Sequence, residues 1–152
     1  MTRSLRPVAA ADFAKLARLH AQCFPDDRWD EKALAELLAM PGASGHLIEE
    51  AQSRPLGFIL DLVIAADAEV LTLAVAADWR RQGIARALLE DLFDRARRAG
   101  AHGIGLEVAT DNAAARQLYE SCGFVSTGRR HGYYRRGGGA EDALLFRRAL
   151  LS

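Results

Sequence analysis

Cysteine and lysine are scarce in this sequence, and long apolar runs are absent. Cys23 and Cys122 are the only cysteines among 152 residues. Two are too few for a disulfide framework, so reduced thiols and a cytoplasmic setting are expected. No apolar run approaches the length of a membrane span, and the N-terminus lacks the basic-then-apolar layout of a signal peptide. No membrane partner is therefore expected. His20, His46, His102 and His131 show no ligand spacing, so no metal is expected. Repeats and low-complexity linkers are also missing. Lys15 and Lys32 are the only lysines, which leaves arginine to carry almost all of the positive charge.

Half of the residues are apolar. At this length the chain reads as a single globular domain spanning 1–152, long enough for a real core. The formal net charge is zero but unevenly placed. Residues 1–78 carry seven basic and twelve acidic side chains, a balance of −5; residues 79–152 carry thirteen and eight, a balance of +5. Codon bias is one reading of the arginine excess. The other is that an anionic cofactor docks on the second half while a cationic substrate meets the first.

The chain in order alternates strand and helix signals. Ser4 to Val8 is short and β-like, with Pro7 at its end. Ala9 to Cys23 spaces an apolar helix face, and a second helix starts at Asp30, a good N-cap, and runs to Pro41-Gly42. Between them, Phe24 and Trp29 either line one wall of a cleft or staple the two helices together. His46 to Glu50, Leu56 to Ile64 and Glu69 to Val75 read as an antiparallel meander, with a turn over Gln52 to Pro55. Ile84 to Ala99 is an amphipathic helix closed by Gly100, with Asp91–Arg95 and Asp94–Arg98 pairs expected on its wet side. Gly103 to Ala109 alternates as a strand, and Thr110-Asp111-Asn112 starts a helix ending at Gly123. Phe124 to Thr127 and Ala143 to Arg147 are the last strands, joined through an Arg/Tyr-rich segment and Gly137-Gly138-Gly139. This order predicts an α+β fold: a mixed, mostly antiparallel sheet flanked by about four helices.

The chemistry centres on Arg80-Arg81-Gln82-Gly83-Ile84-Ala85. A basic, glycine-containing turn between a strand and a helix N-terminus offers unpaired N–H groups, the positive end of a helix dipole and full arginine charges, all suited to phosphate. It is neither a Walker loop nor the dinucleotide pattern Gly-x-Gly-x-x-Gly. It does match Arg/Gln-x-x-Gly-x-Gly/Ala through Arg80, Gly83 and Ala85, a pattern that resembles the pyrophosphate loop of the GCN5-related N-acetyltransferases (GNAT), which bind acetyl-CoA. Asn112 and Tyr119 lie two turns apart on one helix face, and Glu107 sits just upstream on the strand feeding that helix. A cofactor arm running between the strands that end at Val75 and Val108 would meet all three. Acyl transfer from a thioester to an amine needs a proton acceptor, an oxyanion stabiliser and a proton for the leaving thiolate. Glu107 as base and Tyr119 as acid satisfy the first and last, with backbone N–H groups near Val75 available for the second. A solvated strand glutamate and a core tyrosine with a wet tip are the plainer readings of the same two residues.

From Leu71 to about Leu145 the chain resembles the GNAT N-acetyltransferases, and within them the RimI-type bacterial enzymes that acetylate the N-terminal alanine of a ribosomal protein. Leu73-Ala74-Val75 followed by Arg80 to Leu89, Leu106-Glu107-Val108 with Asn112 to Ala115, Leu118 to Phe124, and Arg129 to Tyr134 with Glu141-Asp142-Ala143 carry the resemblance. It implies the GNAT fold, acetyl-CoA as acetyl donor, Glu107 as base and Tyr119 as acid. It implies cofactor contacts from Leu73, Ala74, Val75, Arg80, Arg81, Gln82, Gly83, Ile84, Ala85, Arg86 and Asn112. Phe24, Trp29, Tyr133 and Tyr134 fall on the expected peptide side. Asp26-Asp27-Arg28 lengthens the loop before Trp29 relative to the family pattern, which bears on the substrate and not on the reaction. Alternatives are acetylation of another protein N-terminus or of a small amine, or a non-catalytic acyl-CoA-binding module. Direct nucleic-acid binding is not expected, because the arginines are scattered without interleaved aromatics.

Overall fold

The computed structural model describes residues 2–51, 54–136 and 139–150, with backbone alone at 133–136 and 139–140. Seven strands form one sheet in the order β1-β2-β3-β4-β5-β7-β6. β1 (Arg3–Pro7), β2 (Ala43–Glu50), β3 (Pro55–Ile64) and β4 (Asp67–Val75) make an antiparallel meander. β5 (Gly103–Ala109) lies parallel to β4, and β7 (Gly139–Ala149) and β6 (Val125–Arg136) continue antiparallel. The helices are α1 (Phe13–Cys23), α2 (Glu31–Leu38), α3 (Ile84–Arg98) and α4 (Ala113–Ser121), with short 3₁₀ turns at Ala10–Asp12 and Ala77–Trp79. This is the α+β architecture expected.

Two cores sit on opposite faces of the sheet. Alternation along each strand sends side chains to both. On one face α3 and α4 bury Leu88, Leu92, Phe93 and Tyr119 against Ile59, Ile104, Leu106, Phe124 and Phe146. On the other, α1 and α2 bury Leu16, Leu19 and Leu34 against Leu47, Phe58, Leu60 and Ala74.

One residue breaks the alternation of β4. Leu60 pairs with Thr72 and Asp61 with Val70, so Leu71 has no partner on β3. It is a β-bulge, and it rotates the strand that follows. Ala68 and Val70 point to the α3 core before it, whereas Leu73 and Val75 do so after it. Leu71 and Thr72 consequently both face the α1 side. Asp61, fully buried beside the bulge, is held by a bidentate Arg95 guanidinium at 3.0 and 3.1 Å and by the Ser44 hydroxyl at 2.8 Å.

Several sequence expectations need correcting. Arg95 does pair with Asp91 at 2.7 Å, yet not on a wet face: the same guanidinium reaches the buried Asp61. Asp94 pairs with Arg97 at 3.5 Å instead of Arg98, since i,i+3 neighbours also share a helix face. The Arg/Tyr-rich segment is not a linker but most of a long β6–β7 hairpin. Its strands lack apolar alternation because β6 is an edge, held by main-chain pairing and by ion pairs such as Arg129–Asp142. Gln52, Ser53, Gly137 and Gly138, placed in turns from sequence, lie outside the described residues.

His20 and His46 are held below the ordinary imidazole value of 6.5, in each case chiefly by burial. A depressed histidine binds its proton more readily in the unfolded chain. Its stabilising share is therefore complete above pH 6.5 and lost as pH falls. The Glu69 carboxyl, pushed up by burial and neighbouring carboxylates, works in the opposite sense, one group against two. The melting temperature is expected to drop between pH 7.5 and 5.5 in buffered thermal scans, with a shallower drop in His20→Leu. A melting temperature that holds or rises on acidification contradicts this.

Candidate active site

β4 and β5 pair only at Asp67–Gly103, Ala68–Ile104 and Glu69–Gly105. The bulge at Leu71 follows within two residues of the last pair. Beyond it the two parallel strands have no ladder between them, so the β5-facing backbone of Leu71 to Val75 has no strand partner. A gap opens at the carboxyl ends of parallel strands, where ligands of such sheets bind. α3 and α4 both begin at this end, one after each strand.

The turn leading to α3 is shaped by two left-handed residues. Arg81 has φ +62° and Gly83, the N-cap of α3, has φ +81°. Left-handed backbone costs a non-glycine residue energy, and turns of this kind aim successive N–H groups at a common point. Among the described residues no side chain caps the helix, which leaves the N–H groups of its first turn without a capping oxygen. Arg81 and Arg86 are exposed beside it, and Arg86 also donates to the Ser121 hydroxyl at 2.9 Å. An uncapped helix N-terminus flanked by arginines is chemically suited to an anion such as a diphosphate. Arg80 turns back instead, donating to the Val75 carbonyl at 3.3 Å and reaching the Cys23 sulfur at 3.7 Å. Gln82 is clasped by Arg3 from β1, whose guanidinium donates to its backbone and side-chain oxygens at 3.2 and 3.0 Å.

Glu107 and Tyr119 lie on opposite faces of the sheet. Ile104, Leu106 and Val108 of β5 enter the α3–α4 core, so Glu107 points to the other side. One of its oxygens accepts from Arg130 of β6 at 2.6 Å. Tyr119 is buried on the α3–α4 side, edge-on to Phe124 and tilted to Phe146. Asn112 caps α4, its Oδ1 accepting from Ala115 N–H at 3.1 Å. Leu73 and Val75 pack toward the α3 core and Ala74 toward the α1 core.

A Cβ on Gly105 would meet no atom nearer than 3.8 Å. A groove of about 230 Å³ runs along this face past Asp67, Glu69, Gly105, Glu107, Leu145 and Arg147. Phe24 and Trp29 are half-buried and both pack on the His20 ring, 4.8 Å away in each case. They staple the loop between α1 and α2; any substrate contact would come from their outer surfaces. The side chains of Tyr133 and Tyr134 lie outside the described residues, although their backbone belongs to β6.

Sequence reasoning missed Arg130 as the partner of Glu107, Arg3 as the clasp on Gln82, and Glu69 beside the gap. The Arg130 contact needs the register of two strand pairings, Glu107 opposite Leu145 and Arg130 opposite Ala143, which no local spacing reveals. Glu69 follows from the parallel register that sets it against Gly105.

Open space around residue 83 means that the demand for glycine there is conformational. Gly83→Ala is expected to cost about 1–2 kcal/mol of stability in urea unfolding, and Gly83→Asn less, because asparagine tolerates the left-handed region. Equal losses for the two variants contradict this.

Residues 13–124 match the acetyltransferase (GNAT) family. The chain is 36% identical over 125 residues to the [ribosomal protein bS18]-alanine N-acetyltransferase of Escherichia coli K12, covering 82% of this chain and 81% of that one. It is 38% identical to the N-alpha-acetyltransferase RimI of Mycobacterium tuberculosis over 97% and 96% of the two chains. The crystal structure of the ribosomal-protein-S18-alanine N-acetyltransferase from Escherichia coli superposes with a TM-score of 0.89 at 28% identity, covering 99% of this chain and 96% of that chain. With an uncapped anion cradle, a split sheet and these relatives, the chain belongs to the GNAT family in its RimI-type branch, and is an acetyl-CoA-dependent N-acetyltransferase.

Proposed function

We propose that this enzyme acetylates the α-amine of a protein N-terminus, an N-terminal alanine of a ribosomal protein, in the cytoplasm. The observation that supports this reading is the β4–β5 ladder ending at Glu69–Gly105, with Glu107 on one face of the sheet and Tyr119 on the other. The relatives' names supply the substrate class. Acetyl-CoA, when bound, supplies the acetyl group as an activated thioester.

The following roles for this chain's residues are compatible with that geometry. Backbone N–H groups of Arg81 to Arg86 hold the diphosphate at the positive end of α3, with Arg80 bracing the end of β4 and Asn112 flanking the opposite wall. Leu73, Ala74 and Val75 lie on the length of β4 that has no β5 partner, with the Val75 carbonyl taken by Arg80 and the Cys23 thiol. Glu107 faces the groove from which an amine enters and takes its proton, directly or through water. Arg130 holds one carboxylate oxygen and so orients the other. Tyr119, on the cofactor side, gives its phenolic proton to the departing thiolate; a phenol with the ordinary value near 10 carries that proton at neutral pH, although a thiolate of ordinary value near 8.5 is the weaker base, so the transfer is mildly uphill.

An α-amine suits this site better than a lysine. Its pKa of about 7.7–8.0 leaves a sizeable neutral fraction at neutral pH, whereas lysine at about 10.4 leaves little. Glu69, Asp67 and Glu107 make the amine side acidic, which favours a cationic peptide N-terminus.

Thiol release and mass spectrometry on a panel of alanine-initiated peptides, lysine peptides and polyamines test the assignment. Acetylation is expected at the α-amine of the alanine peptides, and transfer confined to internal lysines or polyamines overturns it. Glu107→Gln and Tyr119→Phe are each expected to lower kcat by about 10²-fold or more, the scale of positioned proton transfer. Full activity in Glu107→Gln removes it as base.

A further inference from the structure

His20 is polar, only 1% exposed, and unused by the chemistry above. It lies in the last turn of α1. Its Nε2 is 3.1 Å from the Thr72 hydroxyl on β4. Its Nδ1 is buried and has no hydrogen-bond partner among the described residues. A leucine here would fill the space without burying an unsatisfied nitrogen, so packing alone does not call for histidine.

The ring touches three things that matter to the site. It stacks on the Trp29 indole with centroids 4.8 Å apart and planes 17° from parallel. It meets the Phe24 ring at the same centroid distance, tilted by 42°. Phe24 and Trp29 are the two ends of the loop between α1 and α2. The third contact, Thr72, directly precedes Leu73 to Val75 on the cofactor strand. Thr72 faces α1 only because the bulge at Leu71 turns it that way. A second tie runs parallel: the Cys23 thiol donates to the Val75 carbonyl at 3.4 Å.

We propose that His20 is a positioning residue, which transmits the placement of β4 to the Phe24–Trp29 loop and so sets the amine-side wall of the cleft. The hydrogen bond to Thr72 fixes the ring plane, and the ring plane fixes the indole by stacking. An apolar side chain would leave both rotations free. This role rests on the reading of the enzyme as a peptide acetyltransferase whose substrate passes the Phe24–Trp29 loop.

Steady-state kinetics on His20→Leu, Thr72→Val, the double variant and His20→Gln test it, varying an alanine-initiated peptide and acetyl-CoA in turn. Each single variant is expected to raise the peptide KM about five- to tenfold, the scale of one net hydrogen bond. The KM for acetyl-CoA and kcat are expected to stay within about twofold, because uniform substrate binding alone is lost. The double variant is expected to be no worse than His20→Leu, as befits two partners of one bond. His20→Gln, whose amide N–H can reach Thr72, is expected to recover most of the loss. Should His20→Leu fail to fold, Thr72→Val, which exchanges a hydroxyl for a methyl, carries the same test alone. An unmoved peptide KM, equal rises in both KM values, or additive losses in the double variant overturn the role. Wild-type protein that acetylates small amines but no peptide overturns the underlying reading and this role together, and does so before any variant is made.

Discussion

One extra residue in β4 conditions the rest of the molecule. A parallel pair of strands would ordinarily continue its ladder to the strand ends. Here Leu71 is inserted two residues after the last β4–β5 pair, and the ladder stops. The buried Asp61–Arg95 pair sits against the bulge and ties β3 to α3 at that level. A buried ion pair contributes little net stability, but losing one partner is costly, so such a pair pins local geometry. The strand is thereby held away from β5 while the antiparallel meander on its other side stays intact.

The gap explains how two halves of a reaction are kept apart yet adjacent. A continuous sheet would wall off the α3–α4 side from the α1–α2 side. With the gap, a thioester arriving over the N-terminus of α3 can meet an amine arriving on the groove side. In the proposed reaction Glu107 and Tyr119 need no direct contact, since each would serve its own face. The charge distribution follows the same division. Arginines 81 and 86 flank the phosphate turn, whereas Asp67, Glu69 and Glu107 lie along the groove. The Glu69 carboxyl is pushed up by burial, by Glu107 and by Asp67, while Arg147 and Arg130 offset part of this charge by pairing with Asp67 and Glu107.

Much of this was legible in the residues. Element order, the α+β class, the turn at Gly83 and the strand-to-helix placement of Glu107 and Asn112 follow from local patterns with known periods. The bulge was not legible, because Glu69-Val70-Leu71-Thr72-Leu73 reads as an ordinary buried run whichever residue is unpaired. The β6–β7 hairpin was not legible either. Arginine, glycine and tyrosine there carry no alternation, and its pairing depends on main-chain bonds and on carboxylates supplied from other strands. The contacts Arg130–Glu107, Arg3–Gln82 and His20–Thr72 span 23, 79 and 52 residues, beyond any helical or strand spacing. They become visible only with the register in hand.

The β5-facing backbone of β4, left without a strand partner, is the proposed bed for the acetyl donor. Amide hydrogen exchange, followed residue by residue with and without acetyl-CoA, addresses it most directly. The account predicts that protection rises together at Leu71 to Val75 and at Ile84 to Arg86. Protection gained on the α3 turn but absent from β4 would contradict it.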